Sequence, residues 1–295
     1  MENKLSSLDS CPICSGAETT EFMKSKDFSV SGESFTIVSC NTCGFKFTNP
    51  RPCESIIGNY YKSESYVSHS ATNRGLVNKI YHIVRRYTLA KKVGLINRLT
   101  VGRKLLDIGS GTGHFLAKAK QKGWEVTGLE PDSDARKLAE EVNGVALSDI
   151  TTLNKLNTKF DIITLWHVLE HVYHLERDSA TIASLLSDNG RLVIAVPNPE
   201  SFDAKHYHEF WAAYDLPIHL YHFRKEDIIR LFDRFELELA EVLPMKFDSF
   251  YVSMLSEKYK GGKLTSAILT GLKSNWRAGK EKWSSQIYIL KRKTH

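Results

Sequence analysis

The chain has 295 residues, 42% hydrophobic and 25% charged, with a net charge of +6 and a pI near 8.9. This balance excludes an extended disordered chain, and the length suits one large α/β domain with a smaller unit beside it. No apolar run approaches the roughly 18 residues of a membrane span, and residues 1–7 lack the apolar centre of a secretory signal. The expected location is therefore the cytoplasm, and the mild basic excess permits an anionic or nucleic-acid partner without requiring one.

All five cysteines fall within the first 53 residues. Cys11-Pro12-Ile13-Cys14 and Cys40-Asn41-Thr42-Cys43-Gly44 are two C-x-x-C knuckles with 25 residues between them, and Cys53 stands apart. Two knuckles supply four thiolates with no open position, the donor set of a closed structural site. Without a secretion signal, metal is expected rather than disulfides. Structural zinc held by Cys11, Cys14, Cys40 and Cys43 is the expectation, although iron accepts the same donors. Residues 35–39 read as a strand between the knuckles. Residues 1–50 thus read as a zinc-ribbon-like module, too small to bury much core, so that metal supplies much of its folding energy.

Residues 51–100 read as a helical connector. In 76–99, Leu76, Ile80, Ile83, Val84 and Tyr87 recur on one helical face, while Lys79, Arg85, Arg86, Lys91 and Lys92 supply charge. The pattern predicts a lid helix with a solvated basic face.

From 101 to the end, apolar strand patterns alternate with helical ones. Strands are expected at 104–108, 125–130, 145–147, 160–166, 191–196, 236–243 and 286–291. Helices are expected at 114–122, 133–142, 179–186 and 225–235, with a helical insertion at about 250–280. The alternation predicts βαβ units and a mostly parallel sheet, with ligands at the carboxyl ends of the strands.

Asp107-Ile108-Gly109-Ser110-Gly111-Thr112-Gly113-His114 joins a buried strand to a helix. Glycines allow a sharp turn and a close ligand, and a helix N-terminus offers free N–H groups. The register is G-x-G-x-G, so the dinucleotide pattern G-x-G-x-x-G is broken at His114. A second strand ends at Glu130-Pro131, about 20 residues on, where an acid suits a ribose diol.

On these residues the chain resembles the class I S-adenosylmethionine-dependent methyltransferases over about 60–243, among them ubiquinone-type O-methyltransferases. Its cysteine module is similar to that of zinc-module sugar methyltransferases. The resemblance implies a Rossmann-like sheet, mostly parallel with an antiparallel last strand and helices on both faces. It assigns S-adenosyl-L-methionine to Asp107, Gly109, Ser110, Gly111, Thr112, Gly113, Glu130 and Pro131, with Asp149 and Ile150 beside the adenine. Trp166 and His167 follow at the methyl end, and Tyr66 and His69 are lid contacts.

His167-Val168-Leu169-Glu170-His171 also matches H-x-x-E-H, a zinc-protease motif if helical. That reading leaves the glycine loop and Glu130 unexplained. The segment 198–223 is expected at the sheet's carboxyl edge, with Trp211, Tyr214 and Asp215 as a substrate wall. There His219 is the first candidate base, ahead of His167 and His222, because imidazole accepts a proton near neutrality. Residues 164–167 lack the Asn/Asp-Pro-Pro-aromatic motif of exocyclic-amine methylation, and the catalytic region has no cysteine for pyrimidine C5 chemistry. A small molecule or sugar, methylated on oxygen or carbon, is the leading acceptor. RNA contacted through the zinc module is the alternative, and a non-catalytic zinc-ribbon interaction protein the remote one.

Overall fold

The computed structural model describes residues 4–61 and 76–294, without the side chains of 76–83. Five parallel and antiparallel pairings build one six-stranded sheet from β6 (Lys104–Ile108), β7 (Glu125–Leu129), β8 (Phe160–Trp166), β9 (Leu186–Pro197), β11 (Leu237–Pro244) and β12 (Ser285–Arg292). Its order is β11-β12-β9-β8-β6-β7, with β7, β6, β8 and β9 parallel and the β12 pairings antiparallel. The strand expected at 145–147 is reduced to a single parallel bridge between Leu129 and Ser148. The three residues 145–147 are too short a run to sustain a ladder, and only Val145 of them is buried, although they hold the chain at the sheet's edge.

Period-two alternation explains the two covered faces. Leu106, Ile108, Leu192, Ile194, Val196, Tyr288 and Leu290 enter one core, whereas Leu105, Val193, Ala195, Ile287 and Ile289 enter the other. The second core is capped by α2 (Leu76–Leu99) and α3 (His114–Lys120). In α2 the residues that seal it are Val93 and Ile96, while Tyr87 is exposed. Lys92 is half-buried, with Nζ 4.1 Å from the centre of the Trp166 ring, instead of lying on a solvated face. The first core is closed by α5 (Leu175–Leu185) and α7 (Lys225–Asp233).

The N-terminal residues share that first core. Strands β2 (Thr19–Lys26), β3 (Ser34–Cys40) and β4 (Lys46–Thr48) form an antiparallel sheet. It is extended by β10 (Tyr221–His222), which pairs with Phe47 and Lys46 across more than 170 residues of sequence. Phe45 and Phe47 pack with Tyr221 and Phe223, and Cys11, Ile13 and Cys40 belong to the same cluster as the sheet's own Leu106. The helical insertion consists of α8 (Asp248–Lys260) and α9 (Leu264–Arg277), packed as a hairpin before β12.

Candidate active site and cysteine centre

The loop after β6 uses its glycines for distinct reasons. Gly109, Gly111 and Gly113 all have positive φ, at 72°, 52° and 75°. A Cβ on Gly109 would lie 2.4 Å from Val168 Cγ2, so close packing requires that glycine. A Cβ on Gly111 would meet nothing within 4 Å, so that backbone borders open space. The Gly109 and Ser110 amides donate to Leu129 O at 2.8 and 2.9 Å, tying the loop to the end of β7.

Acids flank this opening. Asp107 is buried and accepts from Thr164 Oγ1 at 2.5 Å. Burial pushes its carboxyl up to about 6, against the Thr164 hydrogen bond and the charge of Lys92. Glu130 is also buried and accepts from the amides of Gly111 at 2.7 Å and Asp132 at 3.0 Å; burial raises its pKa. Arg136, absent from the sequence expectation, donates to the carbonyls of Glu130 and Pro131 and pairs with Asp149 at 3.0 Å. It clamps two segments named separately from sequence. Asp149 also caps the 3₁₀ turn that begins at Ile150, accepting from Thr151 N at 2.9 Å. Asn143 Nδ2 donates to the Thr112 carbonyl at 2.7 Å.

At the end of β8, His167 has φ 58°, and its amide donates to Ala195 O. Leu169–His171 is a 3₁₀ turn rather than an α-helix, so His167 and His171 share no helical face and the protease geometry is not formed. The His167 ring lies between Glu170 (Nδ1 to Oε1, 3.4 Å) and Asp248 (Nε2 to Oδ2, 3.0 Å). Burial alone would depress its pKa, but the two carboxylates outweigh this and raise it to about 10. His167 is thus an imidazolium at neutral pH, with 34% of its side chain exposed. Trp166 meets Phe115 edge-on and Lys92 across its face. Burial lowers the Lys92 pKa while Asp107 and Asp248 oppose that shift. Asp248 and Lys92 had no sequence signal, because each comes from a distant helix and reaches the site only through packing.

The 198–223 segment is packed, not open. Trp211 and Tyr214 are buried against Phe35 and Ile37 of β3, and Trp211 Nε1 donates to Asp203. Asp215 has φ 37° and a carbonyl that accepts from His219 N; burial pushes its carboxyl up to about 7. His219 is buried, with Nδ1 2.9 Å from Ala213 O, and burial holds its pKa well below the usual histidine range. His222 is buried on β10, lowered to about 3 by burial and by Lys46. These side chains are packed rather than exposed, yet His219 stays beside the segment that follows β8: its ring centre lies 4.6 Å from that of His171, and the next residue, Leu220, donates its amide to Glu170 O at 2.8 Å. Tyr66 and His69 lie outside the described residues.

The four knuckle cysteines converge. All their Sγ atoms lie within 4.8 Å of one another, with Cys11–Cys43 at 3.7 Å and Cys14–Cys40 at 3.6 Å. Four sulfurs at the zinc–thiolate distance of about 2.3 Å from a tetrahedral centre would stand about 3.8 Å apart, so the donors fit such an ion. Ser15 and Gly44, each following its second cysteine, share a left-handed φ of 60° and 73°. Arg224 donates to Cys43 O at 2.8 Å while paired with Asp227, which anchors the second knuckle to α7.

A parallel sheet with a glycine cradle at its carboxyl edge, an acid on the next strand and an antiparallel last strand defines a class I methyltransferase domain. The methyltransferase-domain family profile matches residues 81–242, over half of the chain, and the chain belongs to that family. A methyltransferase of Staphylococcus carnosus is 31% identical over 109 residues, covering 34% of this chain and 51% of that protein. A ubiquinone biosynthesis O-methyltransferase of Bradyrhizobium diazoefficiens is 29% identical over 103 residues, covering 33% and 41%. The chain thus spans about half the length of the curated relatives it matches. Among solved structures, the magnesium protoporphyrin IX methyltransferase of Synechocystis PCC 6803, with bound SAH, superposes with a TM-score of 0.53 at 16% identity. That match covers 82% of this chain and all of the other, and shows a shared fold.

Proposed function

We propose that the chain transfers a methyl group from S-adenosyl-L-methionine to a small molecule, on oxygen in preference to carbon, a sugar hydroxyl being one such acceptor. The observation that carries the reading is the open space at Gly111 beside the buried Glu130 carboxylate, at the carboxyl edge of the parallel sheet. When bound, the cofactor supplies an electrophilic methyl group on a sulfonium. Gly109–Gly113 would hold its amino-acid end, Glu130 its ribose hydroxyls, and the Arg136-clamped Asp149–Ile150 turn its adenine. Trp166 offers an aromatic face to a cation at the methyl end.

Of the three candidate histidines, His167 alone keeps an open face and adjoins the cradle. We assign it, with Asp248 and Glu170, to the acceptor. The imidazolium, its two N–H groups turned to Glu170 and Asp248, would hold Asp248 in place, and Asp248 would take the hydroxyl proton as the acceptor oxygen bonds to the methyl carbon, the methyl–sulfur bond breaks and the neutral thioether leaves. Lys92 beside Asp107 and Asp248 keeps the site's excess negative charge in check. Structural zinc at the four cysteines would tie β4 to β10 and thus brace the first core.

The test is calorimetric binding of S-adenosylmethionine, followed by single-turnover methyl transfer to hydroxyl acceptors. Glu130→Gln should weaken cofactor binding about tenfold or more, while Asp248→Asn should keep cofactor affinity and lower turnover by about a hundredfold. Undiminished turnover of Asp248→Asn would remove the proton-accepting assignment.

A further inference from the structure

The helical hairpin of α8 and α9 is inside out. Its buried residues are mostly small or hydroxylated: Ser249, Ser253 and Ser256 beside Val252 and Glu257 in α8, and Ala267, Thr270, Gly271 and Ser274 in α9. Helix contact is close at Gly271, where a Cβ would stand 2.8 Å from Phe250 Cδ1 and 3.1 Å from Phe250 Cα. Hydroxyls fasten the interior: Ser249 donates to Gly271 O, Ser274 donates to the buried Asp203, and Ser256 accepts from Ala212 N. Small residues and hydroxyl bonds at a helix–helix contact are how helices associate when the surroundings are apolar. Val252, Leu255 and Tyr259 of α8 pack inward, but most of the large side chains of α9 and several of α8 face outward instead. Phe247, Met254, Ile268, Leu269, Leu272 and Trp276 are exposed, Leu269 at 58%, Leu272 at 53% and Trp276 at 80%. A soluble surface helix normally shows the opposite distribution.

Charge selects what covers this face. Residues 246–282 carry eight Lys and Arg against three acids. Each acid is already engaged: Asp248 with His167, the buried Glu257 with Tyr207, and Glu281 with Lys225. A second copy of the chain would set this basic rim against another like it. An anionic surface complements it. The helices have 13 and 14 residues, about 20 Å each, against roughly 30 Å of bilayer hydrocarbon. No helix among the described residues is long and apolar enough to cross a membrane. An outward apolar face, exposed Trp and flanking Lys/Arg are the features of a helix lying in the interfacial plane.

We propose that the α8–α9 hairpin docks the protein on the surface of an anionic lipid bilayer, with Trp276 and the leucines of α9 inserted at the headgroup boundary. Asp248 opens α8, so docking sets the His167–Asp248 pair one residue from the inserted Phe247.

The test is co-sedimentation of the full chain with vesicles of phosphatidylcholine alone or with added phosphatidylglycerol. Partition onto the anionic vesicles should exceed that onto neutral ones about tenfold at low salt and fall as salt rises. Trp276 emission should shift to the blue on binding, and the shift should disappear in Trp276→Ala. The double variant Leu269→Glu with Leu272→Glu changes only exposed positions. It should lose about tenfold or more in partition while its unfolding midpoint and cofactor binding stay unchanged. Equal partition onto both vesicle types, or binding that survives the double substitution, overturns the proposal. A dimer that the double variant dissolves, without lipid binding in the wild type, overturns it in favour of a second copy.

Discussion

Gly109 and Gly111 provide a matched pair of perturbations. Replacing either by alanine forces a Cβ into a left-handed backbone, at a cost of about 1–2 kcal/mol. At Gly111 nothing else changes, because the new methyl meets no atom within 4 Å. At Gly109 the methyl falls 2.4 Å from Val168 Cγ2, and overpacking adds about 1–3 kcal/mol. Gly109→Ala should therefore destabilise by about 2–5 kcal/mol and Gly111→Ala by about 1–2 kcal/mol. For a domain of this size each kcal/mol moves the melting midpoint by about 2–4 °C. Denaturant and thermal unfolding measure this order, and calorimetry with S-adenosylmethionine measures binding at temperatures where both variants are folded. Gly111→Ala should be the more stable protein and the poorer binder, since its methyl occupies the space assigned to the cofactor. If it binds as well as the wild type, that space is not the cofactor site. If it is destabilised as much as Gly109→Ala, the packing argument fails.

Purified protein should carry about one zinc per chain; chelation or Cys40→Ser should lower the single unfolding transition of the whole chain rather than release an independent module, because β4 pairs with β10. Elemental analysis and calorimetry check both points, and metal-free protein with an unchanged transition would contradict them. Stability should have two pH limbs. The folded His222 pKa lies near 3, below its unfolded value, so its contribution is complete above about 6.5 and is lost as pH falls toward 3. The folded His167 pKa lies near 10, so its contribution is complete below about 6.5 and is lost as pH rises through 10. Denaturation across pH should show Asp248→Asn weakening the alkaline limb, with Glu170 still facing His167, and His222→Gln reducing the acid limb that His222 shares with the buried His219. His219→Gln should cost about 1–3 kcal/mol of stability through its lost contact with Ala213 O, yet leave turnover nearly unchanged; a hundredfold loss of turnover with intact folding would restore His219 as the base.

Much of the parallel sheet was legible in the sequence, since strand, glycine loop and helix follow local rules. A buried strand alternates or runs apolar, left-handed positions between Ile108 and His114 favour glycine, and an acid closing the next strand is a fixed number of residues away. Two C-x-x-C knuckles likewise carry their chemistry within short spacing. The burial of the 198–223 segment was not legible. His219, His222, Trp211 and Tyr214 suggest a pocket because they are polar aromatics outside a predicted strand; their residue types do not reveal that β3 and β4 arrive from the far end of the chain to bury them.

The amino-acid sequence alone determined the class of fold, the cradle at Gly109–Gly113, the acid at Glu130 and the four cysteine donors, because each depends on neighbours a few residues apart. Tertiary structure alone decided that Asp248 lies against His167, that Lys92 turns inward over Trp166, that Arg136 joins Glu130 to Asp149, and that the insertion's apolar side faces outward. Those are encounters between residues up to 81 positions apart, and they turn on how helices seat against the sheet. Burial and charge pairing then set the protonation of His167, His219 and His222, which no local pattern encodes.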